Sequence, residues 1–305
     1  MFHNRTEGKS HIMYGEYFCS GYFTEGIHKQ LIGLSAFNIF LSVSALLGNT
    51  LILVALHKTS SLHPPSRLLF SCLATTDLCV GISEPLLVLY WISDVYEKWD
   101  ICRYSLAISF FTGYTLCSVS LLTLSALSID RLLALSLSVR YRQVVTLKRA
   151  YVLVTIFWLT AVLGASFYFW NYNITLYYSY IGLSLCLMVS IFCYTNIFIS
   201  LRRRLFQIKT SINHVKHPTA IRMARHRQAM SSSMWLQLTL VVCYLPHGIL
   251  TNLWTTSPSM FFAKQCMLTL VYLNSSLNPI LYCWKIRQVR RQVKGIIRQI
   301  MCSSN

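Results

Sequence analysis

The chain has 305 residues, 54% of them hydrophobic and only 12% charged, with a mean hydropathy of +0.50 and a net charge of +18. A soluble domain carries about a quarter charged residues, so this composition excludes an ordinary water-soluble globular protein. It also argues against nucleic acid as the partner: the bases are split among short connections between apolar stretches, where anionic lipid headgroups and a cytosolic partner explain them better.

Seven runs of about 20 residues with few charges lie near 31–56, 67–92, 102–136, 150–170, 175–201, 230–256 and 265–284. None alternates apolar and polar residues as a barrel strand does, so each is expected to be a helix with its backbone groups satisfied internally. The expected fold is an all-α membrane protein, a seven-transmembrane helix bundle. Residues 1–30 form an extracellular N-terminal segment, 31–284 the membrane domain, and 285–305 a cytoplasmic amphipathic helix and tail. The connections after spans one, three and five and the tail, counted with Arg67 and Arg131 at the adjoining span ends, hold 21 of the 27 Lys and Arg. By the positive-inside rule the N-terminus is expected outside and the C-terminus inside. The acids agree: Glu7, Glu16, Glu25, Asp94, Glu97 and Asp100 fall on the expected outer side, and none follows Asp130.

In chain order, the first 30 residues lack the apolar core of a cleavable signal, so span one is expected to direct insertion. Asn4-Arg5-Thr6 is a glycosylation sequon. Span one carries Gly48-Asn49, a small residue suited to close packing beside an amide that a neighbouring helix can satisfy. Span two carries Asp77, expensive at membrane depth unless paired or hydrated and therefore a functional candidate. Glu84 lies two helical turns further on the same face, and Pro85 is expected to kink the helix there. Span three begins near Cys102, carries Ser120, and ends in Asp130-Arg131 followed by a basic stretch with Tyr141. Span four has Trp158. Only Asn171 to Ile174 are expected to separate spans four and five. Span five has Tyr194 and no proline. Span six has Cys243-Tyr244-Leu245-Pro246, with a kink expected at the proline, and span seven runs from Tyr272 through Asn278-Pro279 to Tyr282. After it, bases and aliphatics repeat at helical spacing, as in a helix lying on the inner leaflet. Cys302 just beyond is a palmitoylation candidate.

Taken together, Gly48-Asn49, Leu73-Ala74 with Asp77, Asp130-Arg131, Trp158, Tyr194, Pro246 and Asn278-Pro279 with Tyr282 resemble the rhodopsin-like (class A) G-protein-coupled receptors. Each motif is weak alone, but they stand in order on separate spans, and the pattern covers about residues 35–300. The chain departs from that pattern in several places. The acid-base pair is followed by Leu132 instead of a tyrosine. Tyr244 and Leu240 replace the usual aromatics of span six. The second outer loop has no cysteine, and Cys102 sits about one turn early for the usual bridge. The missing span-five proline and tiny second outer loop are similar to the melanocortin, cannabinoid and lysophospholipid receptors.

The resemblance implies roles. Asp130, Arg131, Tyr141, Tyr194, Tyr244, Pro246, Asn278, Pro279 and Tyr282 would form the activation switch and G-protein coupling surface. Arg131 would be held by Asp130 at rest and released toward Tyr194 and the G protein on activation. The position that often adds a second acidic clamp is His226, so the resting lock is expected to be weak and basal signalling measurable. Asn49, Asp77, Ser120, Asn274, Ser275 and Asn278 match positions that enclose a sodium ion, a hard cation suited to oxygen donors; a hydrated polar cluster is the other reading. No other cofactor is expected.

Residues expected to line an outer ligand cup are Glu84, Phe110, Gly113, Tyr114, Cys117, Tyr244, His247, Thr251, Leu268 and Tyr272. Gly113 stands where amine receptors have an acid, and Tyr272 where opsins have their retinal-bearing lysine, which argues against both classes. A peptide, lipid or small molecule remains. One disulfide is expected between Cys19 and either Cys102 or Cys266. The expected partners are a heterotrimeric G protein, arrestin, an extracellular ligand and membrane lipids, at the plasma membrane. The rival classes are a transporter, which would show internal repeats and broken helices, and a receptor that binds without signalling. An enzyme is not expected, since no nucleophile, metal set or paired acids across two spans is evident.

Overall fold

A computed structural model describes residues 17–59, 62–137, 140–210, 235–236, 238–251, 253 and 256–303. The spans follow in chain order as His28–Lys58, Pro64–Val95, Trp99–Ser136, Leu147–Ser166, Tyr172–Thr210, Leu238–Thr251 and Pro258–Lys285. Spans one to five are long and apolar enough to cross a membrane by length and composition alone. The described part of span six is a shorter apolar helix. Span seven is diluted by the polar run around Asn274 to Asn278. No strand occurs among the described residues. A last helix, Arg287–Ser303, lies beyond span seven.

The helix starts are written in the sequence. Pro64 opens span two and Pro258 span seven, where a missing N–H costs nothing. Ser257 and Thr146 cap spans seven and four by accepting from the N–H groups of Met260 and Arg149. The link between spans four and five is shorter than expected. A 3-10 turn, Phe167–Phe169, continues span four, and span five already begins at Tyr172. The Asn171 side chain accepts from the Asn173 N–H at 2.9 Å, a local turn that starts the next helix early.

Pro85 inside span two and Pro279 inside span seven each leave a backbone carbonyl without its usual partner one turn back. Both carbonyls are met by span one. Ser42 donates to the Gly81 carbonyl at 2.6 Å, the group freed by Pro85. Asn49 donates to the Ser275 carbonyl at 3.1 Å, the group freed by Pro279. Spans two and seven can therefore carry prolines without leaving a buried acceptor in the apolar layer.

Close packing rests on small residues. A Cβ at Gly48 would stand 2.8 Å from the Pro279 ring, and one at Gly164 would overlap the Tyr178 ring. The main core joins Leu73, Leu124, Leu127, Leu240 and Tyr282 across the bundle. It continues into the last helix through Val289, Val293 and Ile296. Part of that helix's apolar face is thus spent on the bundle, while Ile297 and Met301 are exposed.

Candidate functional site

Three polar or open features lie along the bundle. At one end, Asp130 is buried and gathers three donors. Ser66 donates to Oδ2 at 2.8 Å, Tyr141 donates to Oδ1 at 2.6 Å, and Arg131 forms an ion pair with Oδ2. Three donors from three segments thus converge on one carboxylate. Burial, followed by the Asp130 charge, pushes the Tyr141 phenol above its usual range, so it stays protonated and donates. The His63 ring lies 4.9 Å from that of Tyr141, and burial lowers its pKa. Tyr194 accepts from the Ser128 hydroxyl at 3.1 Å. It is therefore engaged with span three, one turn from Arg131. His226 lies outside the described residues.

Ser66 escaped the sequence reading. Its signal was a hydroxyl in the first turn after Pro64-Pro65, level with Asp130 only if span two runs antiparallel beside span three.

The polar core lies mid-bundle. Asn278 donates to Asp77 Oδ2 at 2.7 Å. Asn49 is committed to the carbonyls of Ala45 and Ser275 through its Nδ2. Ser120 donates to Thr76 Oγ1 at 3.0 Å instead of turning to Asp77. Five buried side-chain atoms of this core have no hydrogen-bond partner among the described residues: Asp77 Oδ1, Asn49 Oδ1, Asn278 Oδ1 and both polar atoms of Asn274. Four are oxygens, a donor set that fits a hard monovalent cation or water. Tyr282 is buried at 1% exposure, edge-on to Phe70 at 5.6 Å, and its hydroxyl also has no partner among the described residues.

At the other end a cavity of about 380 Å³ opens between spans two, three, five, six and seven. Phe110, Gly113, Tyr114, Cys117, Tyr244, His247, Thr251, Leu268 and Tyr272 line it, as the sequence led us to expect. Phe110 is stacked on Tyr114 and, at 5.3 Å and 8°, on Tyr168. Tyr180 and Thr251 share a hydrogen bond of 2.9 Å across spans five and six. Glu84 is the correction. It is wholly buried, both its oxygens lack partners among the described residues, and it does not line the cavity. The reason is helical phase. Glu84 stands two turns above Asp77, which points to span seven, so both acids share that seam and leave the cavity wall to Leu87 and Tyr90. The reading missed Lys264, Gln265 and the span-five face from Leu176 to Cys186 as lining residues. Lys264 was visible as a lone base at the start of span seven.

The N-terminal segment closes over this end. Cys19 is bonded to Cys102, and Cys266 is a free thiol. One turn of early placement on span three is made up by drawing the bridge from the N-terminus instead of from a loop. Buried Asp94 accepts from the Thr24 hydroxyl at 2.8 Å and the Gly21 N–H at 3.3 Å. Gly21 has φ 74°, a conformation that favours glycine. Phe23 stacks on Phe261 at 5.8 Å, and Phe18 reaches the cavity wall.

Comparison with known proteins agrees with this geometry. A family described as "7 transmembrane receptor (rhodopsin family)" matches residues 48–170. The human melanocortin receptor 5 is 24% identical over 273 residues, covering 84% of this chain and 82% of that protein. The sheep adenosine receptor A3 is 24% identical over 298 residues, covering 87% and 89%. The crystal structure of squid rhodopsin superposes with a TM-score of 0.74 at 17% identity, over 90% of this chain and 87% of that one, a likeness of fold. With the ordered motifs on their helices, these matches make the chain similar to the rhodopsin-like (class A) G-protein-coupled receptors in sequence and in fold.

Proposed function

We propose that this chain is a plasma-membrane receptor that converts binding of an extracellular ligand in the cavity into activation of a heterotrimeric G protein. The observation that carries the proposal is the arrangement along one bundle: a ligand-sized cavity at one end, a polar core between, and Arg131 tied down by Asp130 at the other. The charge asymmetry supports an outside N-terminus and an inside C-terminus, which puts the cavity outside and Arg131 toward the cytosol. Arrestin would meet the same inner surface. Anionic lipids would meet the bases of the last helix, and exposed Cys302 at its end suits a palmitoyl anchor. Asn4, the glycosylation candidate, lies outside the described residues. A sodium ion would be held by Asp77 with the oxygens of Asn49, Asn274 and Asn278, supplying charge to a buried carboxylate.

The switch is a population shift: a ligand that prefers the released state of Arg131 favours it by its differential affinity and no more. The test is recruitment of a panel of G-protein probes in cells without ligand, wild type against Arg131→Ala. Basal recruitment of one class that disappears in the variant is the expected result. Silence across the panel, with the protein at the surface, removes the weak-lock reading and favours a receptor that binds without signalling.

A further inference from the structure

The chemistry of the cavity wall narrows what this receptor binds, and the inference rests on the receptor reading above. At about 380 Å³ the cavity stands near the lower end of small-molecule sites, roughly 300–1,000 Å³. It takes one small molecule, or a side chain or two of a larger one. Its wall is aromatic and aliphatic, built from Phe110, Tyr114, Leu268 and their neighbours.

The decisive feature is the sign of charge. Among the described residues the wall includes no Asp and no Glu, while Lys264 and His247 both line it. Glu84, the one acid expected there, is sealed off in the seam with span seven. A cationic ligand would give up its hydration beside the Lys264 ammonium with no carboxylate among the described wall residues to replace it. An anion gains a charge-assisted hydrogen bond instead. Lys264, on the cavity wall, donates to the Leu253 carbonyl, and an ammonium can serve several acceptors at once. His247 adds a second polar point: its Nδ1 is buried without a hydrogen-bond partner among the described residues.

We infer that the ligand is a small amphiphilic acid, with one carboxylate head at Lys264 and an apolar body lying across Phe110, Tyr114 and Leu268. Gly113 leaves room for that body. A Cβ there would only just touch the Tyr272 hydroxyl, at 3.4 Å, so a larger side chain would fill the space.

The test uses the full chain in lipid nanodiscs and three probes that share a tail and differ in the head: dodecanoate, dodecanol and dodecylammonium. Equilibrium binding is measured above the background of empty nanodiscs. Wild type should bind dodecanoate about tenfold more tightly than dodecanol, and dodecylammonium more weakly still. Lys264→Gln should bring dodecanoate down to the dodecanol level, Lys264→Arg should keep the preference, and Gly113→Leu should weaken dodecanoate and dodecanol alike. Equal binding of the three heads, a preference for dodecylammonium, a preference that survives Lys264→Gln, or no saturable binding of any probe overturns the inference. Ligand-free G-protein recruitment by the same wild-type preparation reports separately on whether the receptor reading stands.

Discussion

At the scale of single residues, three donors from three segments converge on Asp130, which in the proposed switch would hold the resting state. Replacing it with Asn removes the charge that holds Arg131, and ligand-free G-protein recruitment should rise several-fold above wild type. Ser66→Ala and Tyr141→Phe each delete one hydrogen bond to a charged acceptor, worth about 1.5–3 kcal/mol, and should raise it by less. Recruitment by Asp130→Asn at or below the wild-type level would show that the lock lies elsewhere. Asp77 offers a second residue-scale test. If its unpartnered oxygen and those of Asn49, Asn274 and Asn278 hold sodium, the melting temperature of the purified receptor should be higher in sodium chloride than in choline chloride. Asp77→Asn should abolish that difference.

At the scale of helices, the packing is set by small residues and by span one acting as a partner for proline-broken neighbours. Gly164→Ala drives a methyl into the Tyr178 ring, so the ring must leave and its hydrogen bond to the Thr160 carbonyl is lost. A cost of about 1–3 kcal/mol is expected in thermal denaturation. The double change Gly164→Ala with Tyr178→Ala should cost less than the sum of the two, because the methyl then has room. Strict additivity would mean that the two residues do not meet. Asn49→Ala should also destabilise the receptor, since it strips a donor from the Ser275 carbonyl that Pro279 has already orphaned.

At the scale of the whole molecule, the N-terminal segment is an integral part of the cavity end of the bundle. Its disulfide closes a sequence separation of 83 residues, and loops of that size gain about 2–4 kcal/mol from cross-linking. Cys19→Ser with Cys102→Ser should lower the melting temperature, and reducing agent should lower that of the wild type by a similar amount while leaving the double variant unchanged. Asp94→Asn should produce a smaller fall, because Thr24 and Gly21 lose a charged acceptor but the bridge remains. A double variant as stable as wild type would show that the aromatic stack of Phe18, Phe23 and Phe261 holds the segment unaided.

The seven apolar runs, their charge asymmetry and the ordered motifs were legible in the sequence because lipid imposes a one-dimensional rule: length, apolarity and the sign of flanking charge. The same rule made Asp77, Arg131 and Pro279 conspicuous, since each costs too much in an apolar layer to be incidental. What the sequence left open was every choice that depends on which helix stands beside which. Cys19 could have reached Cys102 or Cys266, and only the packed N-terminal segment selects Cys102. Glu84 reads as a cavity acid by its depth, yet its phase relative to Asp77 turns it into the seam with span seven. Ser66 and Lys264 look like ordinary residues at helix ends until neighbouring spans bring them to Asp130 and to the cavity wall. Periodicity fixes which residues share a helix face, but only the tertiary packing decides what that face meets.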